Sequence, residues 1–131
     1  MEIVTLRLKP NQDLKEELNK FAKDNKIKAG VILTCVGSLK NAKIRFANER
    51  VVKAFNEKFE IVSLVGTLSE NGNHIHISIS NAVGETIGGH LKEGCIIYTT
   101  AEIVIGKIKN ISFTRELDDE TKFRELKIIE I

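Results

Sequence analysis

FEIVSLVGTLSENGNHIHISIS, residues 59–80, holds two runs whose apolar residues alternate with polar ones across a turn-forming Asn-Gly pair. Alternation with period two is the signature of a strand that buries one face, and Asn71-Gly72 is the dipeptide that best tolerates positive φ at both central positions of a hairpin. With Asn71 and Gly72 as the loop, Glu70 faces Asn73, Ser69 lies opposite His74, Thr67 opposite His76, Val65 opposite Ser78 and Ser63 opposite Ser80. On the other face Leu68 meets Ile75, Gly66 meets Ile77 and Leu64 meets Ile79. Both arms therefore agree on which side is core. The isoleucine face packs inward, and the His/Ser/Thr face points to water, a ligand or another subunit.

One helix precedes this hairpin. After Pro10, the stretch NQDLKEELNKFAKDN offers Asn11 or Asp13 as cap and acids in the first turns. Leu14, Leu18, Phe21 and Ala22 share a face, and Asn25 can end the helix. Beyond it the chain reads as strand. AGVILTCVG (29–37) has the nearly continuous apolar pattern of a strand covered on both faces. AKIRFA (42–47) alternates, and CIIYTTAEIVIGKI (95–108) reads as a long central strand. ISFTREL and KFRELKIIEI, separated by DDET, make a last hairpin. The expected fold is α+β: a mostly antiparallel sheet of about seven strands with one main helix packed on it.

The 131 residues suit a single domain spanning 1–131, since no linker, repeat or low-complexity tract divides them. A net charge of +2 lacks the basic excess typical of chains that live on nucleic acid. No charged leader followed by an apolar run and no membrane-spanning stretch is evident, so a cytoplasmic protein is expected. The two cysteines, Cys35 and Cys95, have no Cys-x-x-Cys spacing and read as buried free thiols, although sequence alone leaves a bond between them open.

Histidines two apart on a strand project from one face about 7 Å apart at the backbone, so His74 and His76 can lean onto one ion. His90, in IGGHL where Gly88 and Gly89 let the backbone turn, is the obvious third ligand. Three imidazoles leave a zinc ion one position for water or substrate. The bland alternative is a solvated polar face whose imidazoles bond to Ser and Thr neighbours. The glycines of GETIGG do not fit a phosphate-cradling fingerprint and read as turn residues. Glu102, an acid inside an apolar strand, and Glu70, beside the hairpin turn, are the candidate proton-transfer groups. The most basic window holds Lys40, Lys43, Arg45, Arg50 and Lys53 against one acid, Glu49. It could track a phosphate backbone or form a solvated loop and strand face.

Taken together, CVGSLKNAKIR, the 58–106 stretch with its His-x-His-x-Ser and Gly-Gly-His-Leu motifs, and Thr-Ala-Glu opening an apolar strand resemble the prokaryotic stand-alone branch of the plants-and-prokaryotes-conserved (PPC) domain family. The resemblance spans nearly the whole chain. It implies an α+β domain assembling as a homotrimer through sheet surfaces, a DNA-binding or regulatory role with DNA or a protein as partner, and zinc at His74, His76 and His90. The fold is also similar to that of acetolactate decarboxylase, a zinc enzyme with a three-histidine site. The alternative reading is accordingly a zinc-dependent hydrolase or lyase acting on a small carbonyl compound. The Arg-Gly-Arg-Pro segment by which plant members enter the minor groove does not occur in this sequence. Of the plant Gly-Arg-Phe-Glu-Ile-Leu stretch only Phe59, Glu60 and Ile61 remain.

Overall fold

A computed structural model describes residues 1–131. The elements run β1 (Glu2–Leu8), α1 (Leu14–Asp24), β2 (Gly30–Arg45), β3 (Val52–Phe55), β4 (Phe59–Ser69), β5 (Gly72–Ser80), β6 (Thr86–Leu91), β7 (Ile96–Lys107), β8 (Ile111–Leu117) and β9 (Arg124–Glu130). Seven strands form one sheet in which β1, β7, β2, β4, β5 and β6 follow one another and β3 pairs with β2. β8 and β9 form a separate two-stranded sheet. The α+β reading therefore holds, with β1 and β3 as strands that local pattern left unassigned.

The 16-residue β2 organises the sheet. Its register against β7 shifts between Ile32 and Thr34, between Gly37 and Leu39, and between Leu39 and Asn41. Such irregularities bend a strand and strengthen its twist. Its first part pairs with β7 and β4, while Ile44 and Arg45 near its end pair with Leu91 and His90 of β6. β2, β4, β5 and β6 thus close on one another, with Leu64, Leu68, Ile75, Ile77, Ile79 and Leu91 buried inside. Burying each of these six side chains contributes about 1.5 to 3 kcal/mol.

Helix α1 covers this core as its periodicity dictates, burying Leu14, Leu18 and Ala22. Asp13 is the N-cap, accepting from the Glu16 N–H at 3.0 Å, and its other oxygen accepts from the Gly94 N–H at 2.7 Å. Asn25 closes the helix, its N–H donating to Phe21 O. Both cysteines are buried and free. No helix is long and apolar enough to cross a membrane.

Three local expectations are corrected. The β4–β5 pairing is offset by two residues from the expected one: Ser69 pairs with Gly72, Thr67 with His74, Gly66 with Ile75 and Val65 with His76. The turn residues are Glu70 and Asn71. The reason is tertiary: the Glu70 N–H donates to Ile27 O at 2.8 Å, Asn71 Nδ2 donates to Phe113 O at 3.0 Å, and buried Ser69 Oγ donates to the same carbonyl at 3.1 Å. A slip of two preserves the side of every side chain, so the isoleucines still face the core.

Gly88 and Gly89 lie inside strand β6 instead of forming a turn. They are there for close approach, since a Cβ on Gly88 would stand 2.6 Å from Ile77 O and one on Gly89 2.5 Å from Arg45 O. Strand β2, finally, is covered on one face only. Leu33 and Val36 are exposed because no element packs over them.

Candidate metal centre

The three histidines sit on neighbouring strands of the outer sheet face. His74 and His76 project from β5 with even spacing, and His90 of β6 pairs directly with His76. Their ring centroids lie 4.9, 5.3 and 5.8 Å apart. One nitrogen from each ring falls within 4.8 Å of the others. Ligand atoms around a tetrahedral zinc ion stand about 3.3 Å apart, a difference that small side-chain rotations can close.

Two further properties fit a metal. His90 Nδ1 is buried without a hydrogen-bond partner, an arrangement that costs free energy unless something accepts or donates there. Burial, followed by the guanidinium of Arg45, pushes the His90 pKa down to about 4, with Lys15, His74 and His76 adding to the effect. Burial, then His76 and Arg115, lowers that of His74 as well. Metal ligation requires neutral imidazole, and these surroundings keep both rings neutral.

His74 and His90 open into a cleft of about 490 Å³. Only two of its 11 lining residues, Ala47 and Phe123, are hydrophobic. From β2 and the following loop come Arg45 and Glu49, from the β4–β5 turn Asn71, and from β5 Asn73. The β8–β9 hairpin supplies the opposite wall with Arg115, Arg124 and Glu125. That hairpin is anchored by Phe113, which is buried, whose N–H donates to Lys28 O at 2.9 Å and whose carbonyl receives Ser69 and Asn71. Anchoring at Phe113 sets Arg115 beside the histidines, where its Nη2 donates to Thr67 Oγ1 at 3.2 Å. Thr67 is the ladder partner of His74.

The other candidate residues go elsewhere. Glu102 is exposed on β7, opposite Arg7 and Val36. Glu70 pairs with Lys28 at 3.2 Å, and neither acid lines the cleft. Of the basic window, only Arg45 reaches the histidines. Lys40 donates to Asn11, Lys53 lies 5.2 Å from the Phe55 ring centroid, and Lys43 lies along Gly94. Arg50 is exposed in the turn between β2 and β3. The sequence reading missed Arg115 and Arg124 as site residues. Their strands lie at least 20 residues from His90, and only the alternation of ISFTREL around the buried Phe113 hints that Arg115 faces a neighbour.

Comparison with known proteins agrees with this architecture. Over 128 residues the chain is 43% identical to the Bifunctional protein GlmU of Synechococcus sp. (strain JA-3-3Ab), covering 98% of this chain and 21% of that protein. It therefore spans about a fifth of the length of the curated relatives it matches. A Salmonella enterica hypothetical protein superposes with a TM-score of 0.95 at 34% identity, over 98% of this chain and 94% of that one. The metal-containing protein AF0104 from Archaeoglobus fulgidus superposes with a TM-score of 0.82 at 25% identity, over 97% and 94% of the two chains. A candidate DNA-binding protein from Bacteroides thetaiotaomicron shares the fold, with a TM-score of 0.86 at 23% identity over 95% and 91%. The family pattern of the Plants and Prokaryotes Conserved domain matches residues 1–109, and the chain belongs to that family.

Proposed function

We propose that the chain is a zinc-binding regulatory protein, assembled as a homotrimer, whose metal meets a small molecule in the adjoining cleft. The convergence of His74, His76 and His90 carries this reading. Three imidazoles suit zinc, and the likeness to the metal-containing Archaeoglobus protein supports a metal in this chain. A three-histidine set would leave a four-coordinate ion one position for water or a ligand. Assembly is supported by the uncovered apolar residues Leu33 and Val36 of β2 and Val62 and Val65 of the adjacent β4, all exposed in the single chain. Elemental analysis of protein purified without an affinity tag tests the metal. One zinc per chain is expected, lost in His74→Ala with His90→Ala; absence of zinc, or zinc retained by that double variant, overturns it.

DNA is a second partner, favoured by the description of the Bacteroides protein and by exposed Lys40, Lys43, Arg50 and Lys53. With a net charge of +2 such binding would be weak and steeply salt-dependent. A salt titration of duplex binding decides it, since contacts to phosphate require loss of affinity in Lys40→Ala with Lys43→Ala. For turnover of a small carbonyl compound, a group beside the metal would have to move protons, and a carboxylate can do so. Glu49 and Glu125 are the two that line the cleft.

A further inference from the structure

We infer that the cleft takes a small polar molecule bearing an oxyanion, a carboxylate or a phosphate group, gripped by Arg45, Arg115 and Arg124 beside the histidines. This rests on reading the cleft as a ligand site, and it names the ligand's chemistry. Three guanidiniums converge on one polar cavity from three different strands: β2, β8 and β9. All four ion pairs of the chain use lysine, so none of these arginines is neutralised by a carboxylate in contact.

Two of the three guanidiniums are held in place while donors remain to spare. Arg124 Nη2 donates to Arg115 O at 2.9 Å, and Arg115 Nη2 donates to Thr67 Oγ1 at 3.2 Å. Each guanidinium has five N–H donors, so most of each planar fork remains for a ligand. That fork matches the paired oxygens of a carboxylate or phosphate. Glu49 and Glu125 offset two of the three positive charges, and the asparagines at 71 and 73 add neutral polar groups. An apolar or cationic ligand finds little in such a wall. A volume of about 490 Å³ fits a small metabolite and excludes a folded macromolecule.

The division of labour follows the chain. His74, His76, His90 and Arg45 lie within the stretch that matches the family pattern, residues 1–109, whereas Arg115 and Arg124 lie beyond it. The three histidines and Arg45 thus come from the stretch that matches the family pattern, and the β8–β9 hairpin supplies the other two arginines.

Isothermal titration of the full chain, in metal-free and zinc-loaded forms, tests this with inorganic phosphate, malonate and the neutral polyol erythritol as probes. Phosphate or malonate is expected to bind and erythritol not to bind. Whichever of the two anions binds more tightly identifies the oxyanion type. Arg115→Gln is expected to weaken anion binding at least tenfold with zinc content unchanged. Arg124→Gln, at an exposed position, is expected to weaken it severalfold. The inference is overturned if neither anion binds either form, if erythritol binds equally well, or if Arg124→Gln leaves the affinity unchanged. Arginine-dependent anion binding by protein that takes up no zinc would remove the metal and leave this inference standing.

Discussion

Arg45 stands directly across the β2–β6 ladder from His90. Burial is the main reason the His90 pKa lies near 4, and the Arg45 guanidinium is the next. A like charge beside an imidazole disfavours its protonated form, and burial acts in the same direction. The arginine therefore helps to hold one candidate ligand in the neutral state that coordination needs. In metal-free protein, His90 should titrate near 4 by NMR, and Arg45→Gln should move it upward toward the ordinary imidazole value. An unchanged His90 titration in that variant would show that burial and the other neighbours set it without Arg45.

Stability of the metal-free chain should fall in mild acid for the same reason. The folded-state pKa of His90 is below its unfolded value of 6.5, so the unfolded chain binds more protons between about 6.5 and 4. The contribution is complete above pH 6.5 and is lost as pH falls toward 4. A shift of this size corresponds to at most about 3 kcal/mol, and solvent reaching the partly exposed ring reduces it to about 1 to 2. Urea unfolding at pH 7.0 and 4.5 checks the slope. His90→Gln should flatten it, and a variant as acid-sensitive as the parent would assign the loss to other groups.

A side chain at position 89 should be poorly tolerated. Its Cβ would meet Arg45 O at 2.5 Å and Ile44 Cγ2 at 2.7 Å. Backbone cannot retreat there without breaking the β2–β6 pairing that closes the sheet. Gly89→Ala is expected to cost about 2 to 3 kcal/mol in urea unfolding and to weaken zinc binding, because it displaces Arg45 and His90 together. Full stability in that variant would mean that the two strands are less tightly apposed than described.

What the sequence disclosed and what it hid divide along one physical line. Period-two alternation in 74–80 and the 3.6-residue spacing of Leu14, Leu18 and Ala22 are local, and both the helix and the buried faces were legible from them. The two-residue offset of the β4–β5 turn was hidden, because it depends on Phe113 and Ile27 binding the turn from far along the chain. Gly88 and Gly89 were misjudged for a related reason. Glycine looks the same in sequence whether it serves a turn or a close strand crossing. Two metal-binding candidates shared one strand and were readable at once. Arg115 and Arg124 reach the site only through the docking of a separate hairpin.

That docking can be tested through its anchor. Phe113 is the buried residue of β8–β9, and its backbone carbonyl is the acceptor shared by Ser69 and Asn71. Phe113→Ala leaves those backbone bonds available but removes the ring that seats the hairpin against the sheet. The expected loss is about 2 to 4 kcal/mol of hairpin docking. Because the histidines stand on β5 and β6, zinc stoichiometry should persist while amide exchange in 111–130 accelerates and anion affinity falls. Loss of zinc together with the hairpin would make the two walls of the cleft one cooperative unit. Retention of both zinc and anion affinity would show that the arginines hold their places without the Phe113 anchor.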